Sequence, residues 1–348
     1  MESMTEHNKS GVRASKAELS CGEEIHVNIC THNDLDGYIS AAILLRRYPN
    51  AYLYFSEPNK LHETLGSLTE LCRNVERGYL FILDISAQNQ VMGMVLRELK
   101  KLKNRFKILW IDHHASWSPN IMKNIGESVD ELILNMKARY NAEIVYRIYG
   151  GDDKYSLSLL DLLMGRSEDK EWDNYWRRAL EGAKIYDKVN RTIYRRHVVQ
   201  KLALNERSEE TDRMYFEGVK IAEETMKYIR DKPHRVMTTR RGRRFVIIDL
   251  RKAYMLNYDM LRREIGKKYS AAFLLLIQKG GDLSLQRGID NNIDFTVLGG
   301  KFNGGGHKYS YHINAKTTLK DVLEAILKLK TPKTVFIENF IKTLVNEM

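Results

Sequence analysis

Acidic and histidine side chains follow three apolar segments of the sequence. The segments "IHVNIC", "YLFIL" and "FKILWI" run into a shared set of polar residues: His32, Asp34, Asp36, Asp84, Asp112, His113 and His114. Carboxylates packed together repel one another, and burying them without a compensating cation is costly. Carboxylate with imidazole is a ligand set suited to manganese, zinc or iron, whereas carboxylates alone favour magnesium. If the chain brings these side chains together, the sequence predicts a divalent-metal site.

The elements that carry these residues have the pattern of a parallel α/β sheet. Short β-rich segments at 24–32, 51–55, 78–86 and 106–114 alternate with helical patterns, which is typical of βαβ units covered on both faces. In a parallel sheet the carboxyl ends of all strands lie at one edge, where ligand sites form. We therefore expect the three polar strand ends to converge.

Two structural alternatives apply to the same residues. A single Asp after a strand often only caps the next helix. Adjacent histidines such as His113 and His114 point to opposite faces of a strand, so a buried core pair is the alternative for them. Three strand ends with the same chemistry favour a shared site over coincidence.

The rest of the chain predicts helices and then a second α/β unit. The pattern is helical from about 141 to 230 and ends before Pro233, and "RFVIIDL", "SAAFLLLIQ" and "DLSLQRGI" then resume strand character. We predict a doubly wound parallel-sheet domain, a helical linker and a smaller α/β domain, with bounds 22–205, 206–235 and 236–348. The segment 320–348 is predicted to be mostly helical.

Composition restricts the partner and the compartment. The formal net charge of +11 favours a polyanionic partner such as nucleic acid, although a merely basic surface is the alternative. Three cysteines without a CxxC pair favour neither a disulfide framework nor a cysteine zinc site. The sequence has no long apolar run and no apolar N-terminal segment, so we expect a cytoplasmic protein without a membrane span.

Motifs in this order resemble those of a known superfamily. The run "IDHHAS", with "HNDLDG" upstream and "LDIS" between them, resembles the DHH phosphoesterases. The downstream "GGKFNGGGHKYS" at 299–310 is similar to the GGGH signature of the DHH-associated C-terminal domain in RecJ-like nucleases and nanoRNases. The likeness extends over about residues 24–315, and it includes the helical "ALEGAKIYDKVNR".

The resemblance implies roles for these residues. Two Mn²⁺ ions, with Mg²⁺ or Co²⁺ as substitutes, would be held by Asp34, Asp36, Asp84, His113 and Asp187, with Asp84 bridging the ions. Asp112 would orient a ligand, and His114 would face the scissile phosphate. His32 is a further candidate ligand, at a position where RecJ-like members carry an acid.

The resemblance assigns substrate binding to the second domain. The matching residues are Arg287, Gly304, Gly305, Gly306 and His307. An arginine fork suits a phosphate, and glycines let the backbone approach an anion. The arginine-rich "TTRRGRRF" around Gly242 is either a track for a nucleic-acid backbone or a solvated hairpin turn.

The expected activity is hydrolysis of phosphodiesters. We expect a Mn²⁺-dependent exonuclease that releases nucleoside monophosphates from short oligonucleotides or single-stranded ends. Short substrates are favoured because no OB-like domain follows the GGGH segment. The alternatives are a cyclic-dinucleotide phosphodiesterase, a less favoured pyrophosphatase, and a non-catalytic RecJ-like replication or repair module. Replication or repair proteins and a second copy of the chain are further expected partners.

Overall fold

A computed structural model describes residues 25–190, 193–251, 261–278, 281–290, 293–295, 304–307, 310–313, 327 and 331–348. The strands are β1 His26–His32, β2 Tyr52–Ser56, β3 Gly78–Leu83, β4 Phe106–Asp112, β5 Glu131–Leu134, β6 Arg235–Thr238, β7 Arg244–Asp249, β8 Phe273–Ile277, β9 Leu283–Arg287, β10 Gly304–His307 and β11 Ser310–Ile313. The helices are α1 Leu35–Arg47, α2 Leu61–Leu71, α3 Met92–Leu102, α4 Pro119–Ser128, α5 Asn141–Val145, α6 Lys154–Met164, α7 Lys170–Asn190, α8 Ile193–Leu204, α9 Glu209–Arg230 and α10 Pro332–Glu347. Within the described ranges, we find no helix with the length and apolar character needed to cross a membrane.

The first sheet is parallel and covered on both faces, as predicted. Its strand order is β2-β1-β3-β4-β5. One face packs on a core that includes α1, α6 and α8, and the other packs on α2, α3 and α4. The sequence did not predict β5, because its four residues are all half-buried and give no alternation of apolar and polar positions.

The second sheet has six strands in the order β10-β11-β9-β8-β7-β6. The predicted strands at 244–250, 270–278 and 282–289 appear as β7, β8 and β9. The glycine-rich segment, for which we predicted no strand, forms β10, which pairs antiparallel with β11. Glycine-rich strands carry almost no propensity signal, so sequence patterns do not predict them. Helix α10 occupies much of the predicted C-terminal helix, and most of 314–330 lies outside the described residues.

Helices α7 and α9 cross at two glycines, which allow their backbones to touch. A Cβ atom added to Gly182 would lie 1.9 Å from the Met214 carbonyl oxygen, and one added to Gly218 would lie 2.0 Å from the Arg178 carbonyl oxygen. Both distances are far below van der Waals contact. The helix that we predicted to connect the domains is therefore packed tightly against α7.

Candidate metal centre

The candidate centre lies at the carboxyl edge of the parallel sheet. His32 ends β1, Asp112 ends β4, and Asp84 directly follows β3. The turn after β1 is tight: a Cβ atom at Gly37 would lie 2.3 Å from the His32 carbonyl oxygen. Glycine at this position therefore lets the start of α1 fold back onto the end of β1, with Asp34 as the helix N-cap.

Two groups of potential ligands meet at Asp84. One group is Asp84, His113 and His114, and the other is His32, Asp34 and Asp84; within each group the ligand atoms lie within 4.8 Å of one another. His113 Nε2 is 3.2 Å from Asp84 Oδ1, and His32 Nδ1 is 3.9 Å from Asp84 Oδ2. Each carboxylate oxygen of Asp84 thus faces a different group. This arrangement could hold two cations with Asp84 between them.

Asp84 itself is poorly compensated by the protein. Its side chain is 1% exposed, and neither carboxylate oxygen has a hydrogen-bond partner among the described residues. Burial, together with the charges of Asp36 and Asp34, raises its pKa well above the ordinary carboxyl range. Its backbone also has φ of 58°, an uncommon conformation for a residue other than glycine. A buried carboxyl group that has a strained backbone and no hydrogen-bond partner among the described residues fits the donor set of a divalent cation.

The two histidines after β4 are held in defined orientations. His113 Nδ1 lies 3.3 Å from the Ala138 carbonyl oxygen, and a hydrogen bond from Nδ1 leaves the lone pair of Nε2 directed at Asp84. His114 Nδ1 lies 2.7 Å from Asp112 Oδ1. Trp117 Nε1 donates to the other oxygen of Asp112 at 2.5 Å. Asp112 therefore orients His114, and Trp117 orients Asp112.

We expect Trp117→Phe to lower activity about 10-fold, because the loss of a residue that orients a metal ligand typically lowers metal affinity or activity by about 10–100-fold. The substitution removes the hydrogen bond to Asp112 while keeping an aromatic ring beside Trp110. The pH dependence of the rate should also change, because burial raises the pKa of Asp112 and the Trp117 hydrogen bond is one of the contacts that lower it.

The control is Trp176→Phe, which loses similar volume from the buried side of α7 without touching Asp112. Comparable losses of activity in the two variants, with unchanged pH profiles, would contradict the orienting role of Trp117.

Asp36 connects the centre to helix α5. Its Oδ2 and Oδ1 atoms accept hydrogen bonds from the backbone N–H groups of Asn141 and Ala142 at 2.8 and 2.9 Å. Asp36 Oδ2 is also 3.5 Å from His113 Nε2. Burial raises the pKa of Asp36 to about 6, with Asp34 also raising it and His113 opposing the shift. Asp36 is thus both a helix cap and a neighbour of the first ligand group.

The residue between His32 and Asp34 is the hub of a network that sequence patterns did not reveal. The Asn33 side-chain oxygen accepts from Tyr38 and Arg195, and its amide donates to Glu57 Oε1 at 3.2 Å. Lys184 Nζ donates to the Asn33 carbonyl oxygen at 2.5 Å. Four separate elements therefore fix the segment that carries two candidate ligands.

Asp187 enters this network through Arg195. Its oxygens accept from the backbone N–H groups of Tyr194 and Arg195 at 2.9 Å each, and from Arg195 Nε at 2.7 Å. Asp187 is not in either of the two ligand groups found among the described residues. In the structure, Asp187 therefore holds Arg195 against Asn33.

Glu57 is a missed site residue for which the sequence did carry a signal. It follows β2, the one strand end where we did not look for an acid, and its Oε2 lies 3.4 Å from His32 Nε2. The carboxyl end of each of β1 to β4 thus contributes to the cluster. Asn33 and Trp117 carried no comparable signal, because their roles depend on partners far away in the sequence.

The substrate-binding residues expected in the second domain lie in neighbouring strands of the second sheet. Arg287 ends β9, and Gly304, Gly305, Gly306 and His307 form β10, with β11 between these strands. The side chain of His307 lies outside the described part of the structure. The contribution of these residues to substrate binding stays a prediction.

Comparison with known proteins gives matches in structure but not in sequence. No protein-family model matches the chain, and no curated protein does. The structure resembles the DHH domain of a protein described as belonging to a family of ribosomal proteins, with a TM-score of 0.59 and 17% identity over 88% of this chain and 86% of that one. It also resembles RecJ from Thermus thermophilus in complex with Mn²⁺, with a TM-score of 0.50 and 11% identity over 90% of this chain and 52% of RecJ. The chain therefore has the DHH fold of RecJ-like proteins.

Proposed function

We propose that this protein is a divalent-metal-dependent phosphodiesterase that hydrolyses single-stranded nucleic acid, with short oligonucleotides as its preferred substrates. The observation that carries the proposal is the buried carboxyl group of Asp84, which has no hydrogen-bond partner among the described residues and is shared by two ligand groups. The RecJ structure that this chain resembles contains Mn²⁺, which supports manganese as the cation.

The residues divide into two ligand sets and an orienting set. His113 and Asp84 would hold one ion, with Asp36 beside them, and His32, Asp34 and Asp84 would hold the other. Two divalent cations at such a site polarise phosphoryl oxygens and activate water near neutral pH. Asp112 holds the His114 ring by its Nδ1 atom, so that Nε2 would face a phosphate oxygen of the substrate.

Two cations on helices α7 and α8, next to the centre, support phosphate binding. Lys184 and Arg195 both contact Asn33 and thus lie beside the carboxylate cluster. They offset its negative charge, which would otherwise repel a polyanionic substrate. Arg195 is buried and paired with Asp187, so its charge would act without contact on phosphates close to the scissile bond, which favours short substrates.

End-labelled RNA and DNA ladders test the activity, its polarity and its length preference together. We expect hydrolysis with Mn²⁺ and none with a chelator, with the highest turnover on oligomers of roughly two to five nucleotides. Longer strands depend on the basic surface, so their hydrolysis should decrease more steeply as salt rises.

Separate reactions with a cyclic dinucleotide and with pyrophosphate distinguish the alternative substrates. Hydrolysis of either compound in preference to linear oligonucleotides would contradict the proposed substrate class. Equal efficiency on long and short strands at two salt concentrations would contradict the length preference. If no phosphoester is hydrolysed in the presence of Mn²⁺, the proposal that this protein is a phosphodiesterase is wrong.

A further inference from the structure

A cluster of exposed cations lies on the second sheet, away from the metal centre. We name it the hairpin patch, and it consists of Arg240, Arg241, Arg244, Lys267 and Lys268, all of which are exposed. The first three belong to the "TTRRGRRF" segment, where β6 and β7 form an antiparallel hairpin. The two lysines come from the segment that precedes β8.

The hairpin patch is fixed to the body of the domain. Gly242 adopts φ of 76° at the tip of the hairpin, a conformation that glycine adopts without strain. The Arg240 N–H donates to the Val345 carbonyl oxygen at 2.8 Å, which ties the tip to α10. Arg244 Nη1 donates to the Tyr269 carbonyl oxygen at 3.3 Å, which joins the hairpin to the lysine segment. The hairpin and the lysine segment are therefore held next to each other.

The charge of the hairpin patch is not neutralised by the acids around it. Within the described part of the chain, the five cations form no ion pair, whereas the nearby acids Asp290 and Glu264 already pair with Arg243 and Arg230. His234, whose Nδ1 lies 3.3 Å from the Tyr269 hydroxyl oxygen, has a pKa lowered by burial and by the charge of Lys268. Local potential is therefore positive, and an anion would be favoured there.

The position of the hairpin patch relative to the glycine-rich strand sets a length scale. Strands β6 and β10 are the opposite edges of the six-stranded sheet, so five strand spacings of about 4.8 Å separate them, or roughly 24 Å. At about 3.4 Å per stacked nucleotide, a single-stranded nucleic acid would need roughly seven nucleotides to span this distance. Only substrates longer than the preferred short oligomers could reach both edges.

We propose that the hairpin patch is a second binding surface, which holds the phosphate backbone of a single-stranded nucleic acid several nucleotides away from the scissile bond. The proposal rests on the proposed function for the identity of the bound polymer. Three of the five cations are arginines, whose guanidinium forks match phosphate oxygens. A nucleic-acid strand also carries one phosphate charge per nucleotide, so a strand several nucleotides long can contact several of these cations. The positive charge at this edge thus favours a nucleic-acid strand.

The test compares two triple variants of the full-length chain that remove the same charge. Arg240→Gln/Arg241→Gln/Arg244→Gln neutralises the hairpin patch. Arg73→Gln/Arg77→Gln/Lys100→Gln is the control, because these exposed cations lie near the amino ends of the first sheet's strands and make no ion pair among the described residues. Fluorescence anisotropy with a labelled 20-mer and a labelled trimer, at several salt concentrations and without hydrolysis in the presence of a chelator, gives affinity and salt dependence.

We expect the hairpin-patch variant to bind the 20-mer more weakly and the trimer unchanged. Three lost phosphate contacts at about 0.7 each should reduce the slope of log affinity against log salt by about 2 for the 20-mer. The control should match the wild type on both strands. Hydrolysis of the trimer with Mn²⁺ should be unchanged in the hairpin-patch variant.

Three results would overturn the proposal. The first is an equal loss of affinity for the 20-mer in the two triple variants, and the second is an equal loss of affinity for the trimer and the 20-mer in the hairpin-patch variant. The third is displacement of the labelled 20-mer by polyglutamate as effectively, per charge, as by the unlabelled 20-mer. The last result would assign the surface to acidic proteins. Binding is measured separately from hydrolysis, so failure of the enzyme proposal would show as absent turnover with length-dependent binding retained.

Discussion

Asp84→Asn is expected to reduce phosphodiester hydrolysis by on the order of 10³-fold, because it removes a ligand that both candidate ions share. The substitution preserves the shape of the side chain. Asparagine also tolerates the positive φ that Asp84 adopts. Loss of activity can therefore be assigned to lost ligand charge and not to a collapsed fold.

The same variant makes an opposite prediction for stability. In metal-free protein, Asp84→Asn should raise the free energy of unfolding by about 1–3 kcal/mol at neutral pH, because it removes a buried carboxyl group without a hydrogen-bond partner among the described residues. Mn²⁺ should raise the melting temperature of the wild type and have little effect on the variant. Urea unfolding and thermal melts with and without Mn²⁺ measure both effects.

The pH dependence of stability gives a further check on Asp84. Its pKa is raised by burial in the folded state, so the folded protein retains a proton that the unfolded chain releases above its ordinary pKa of about 4. Metal-free wild-type protein should lose stability as the pH rises from there toward the raised pKa, and the Asn variant should lose less, because only the contribution of Asp36, whose pKa is about 6, remains. The control Asp152→Asn changes an exposed acid and should leave activity and stability unchanged. A similar effect in both variants would contradict the claim that the buried carboxyl group of Asp84 causes these effects.

Gly182→Ala is expected to destabilise the protein by about 3 kcal/mol, the upper part of the usual range for overpacking. The added methyl group would lie 1.9 Å from the Met214 carbonyl oxygen. That atom belongs to the backbone of α9, so a side-chain rotation cannot relieve the clash and the helices must separate. Denaturant unfolding measures the loss.

The matched control for Gly182 is Gly93→Ala. Gly93 lies in α3, and a Cβ atom there has no neighbour within 4 Å, so the change should stabilise the helix by about 0.5–1 kcal/mol. The two substitutions are chemically identical and should have opposite signs. A loss below about 1 kcal/mol at Gly182 would mean that the α7–α9 contact is looser than the structure shows.

Sequence patterns anticipated the parts of the site that depend on strand ends. The apolar strands β1, β3 and β4 and their terminal His32, Asp84 and Asp112 follow from periodicity, because strands of a parallel sheet deliver their carboxyl ends to one edge. The parallel sheet with both faces covered is confirmed for the same reason. These features are encoded locally, each within a single short segment of the chain.

The parts that sequence patterns missed depend on contacts between distant segments. Asn33 acts through partners on α7 and α8, and the role of Asp187 next to Arg195 is visible only once α8 packs against α1. Strand β10 is held by pairing with β11 and not by its own propensity. Such features arise from tertiary packing, which overrides local propensity.

Anomalous scattering from crystals grown with Mn²⁺ is the most direct test of the central proposal. We predict two manganese peaks at the carboxyl edge of the parallel sheet, one beside His113 and His114 and the other beside His32 and Asp34, with Asp84 in contact with both. Crystals of Asp84→Asn grown in the same way should lack at least one peak. A single peak in the wild type, or peaks that do not contact Asp84, would contradict the shared two-ion centre.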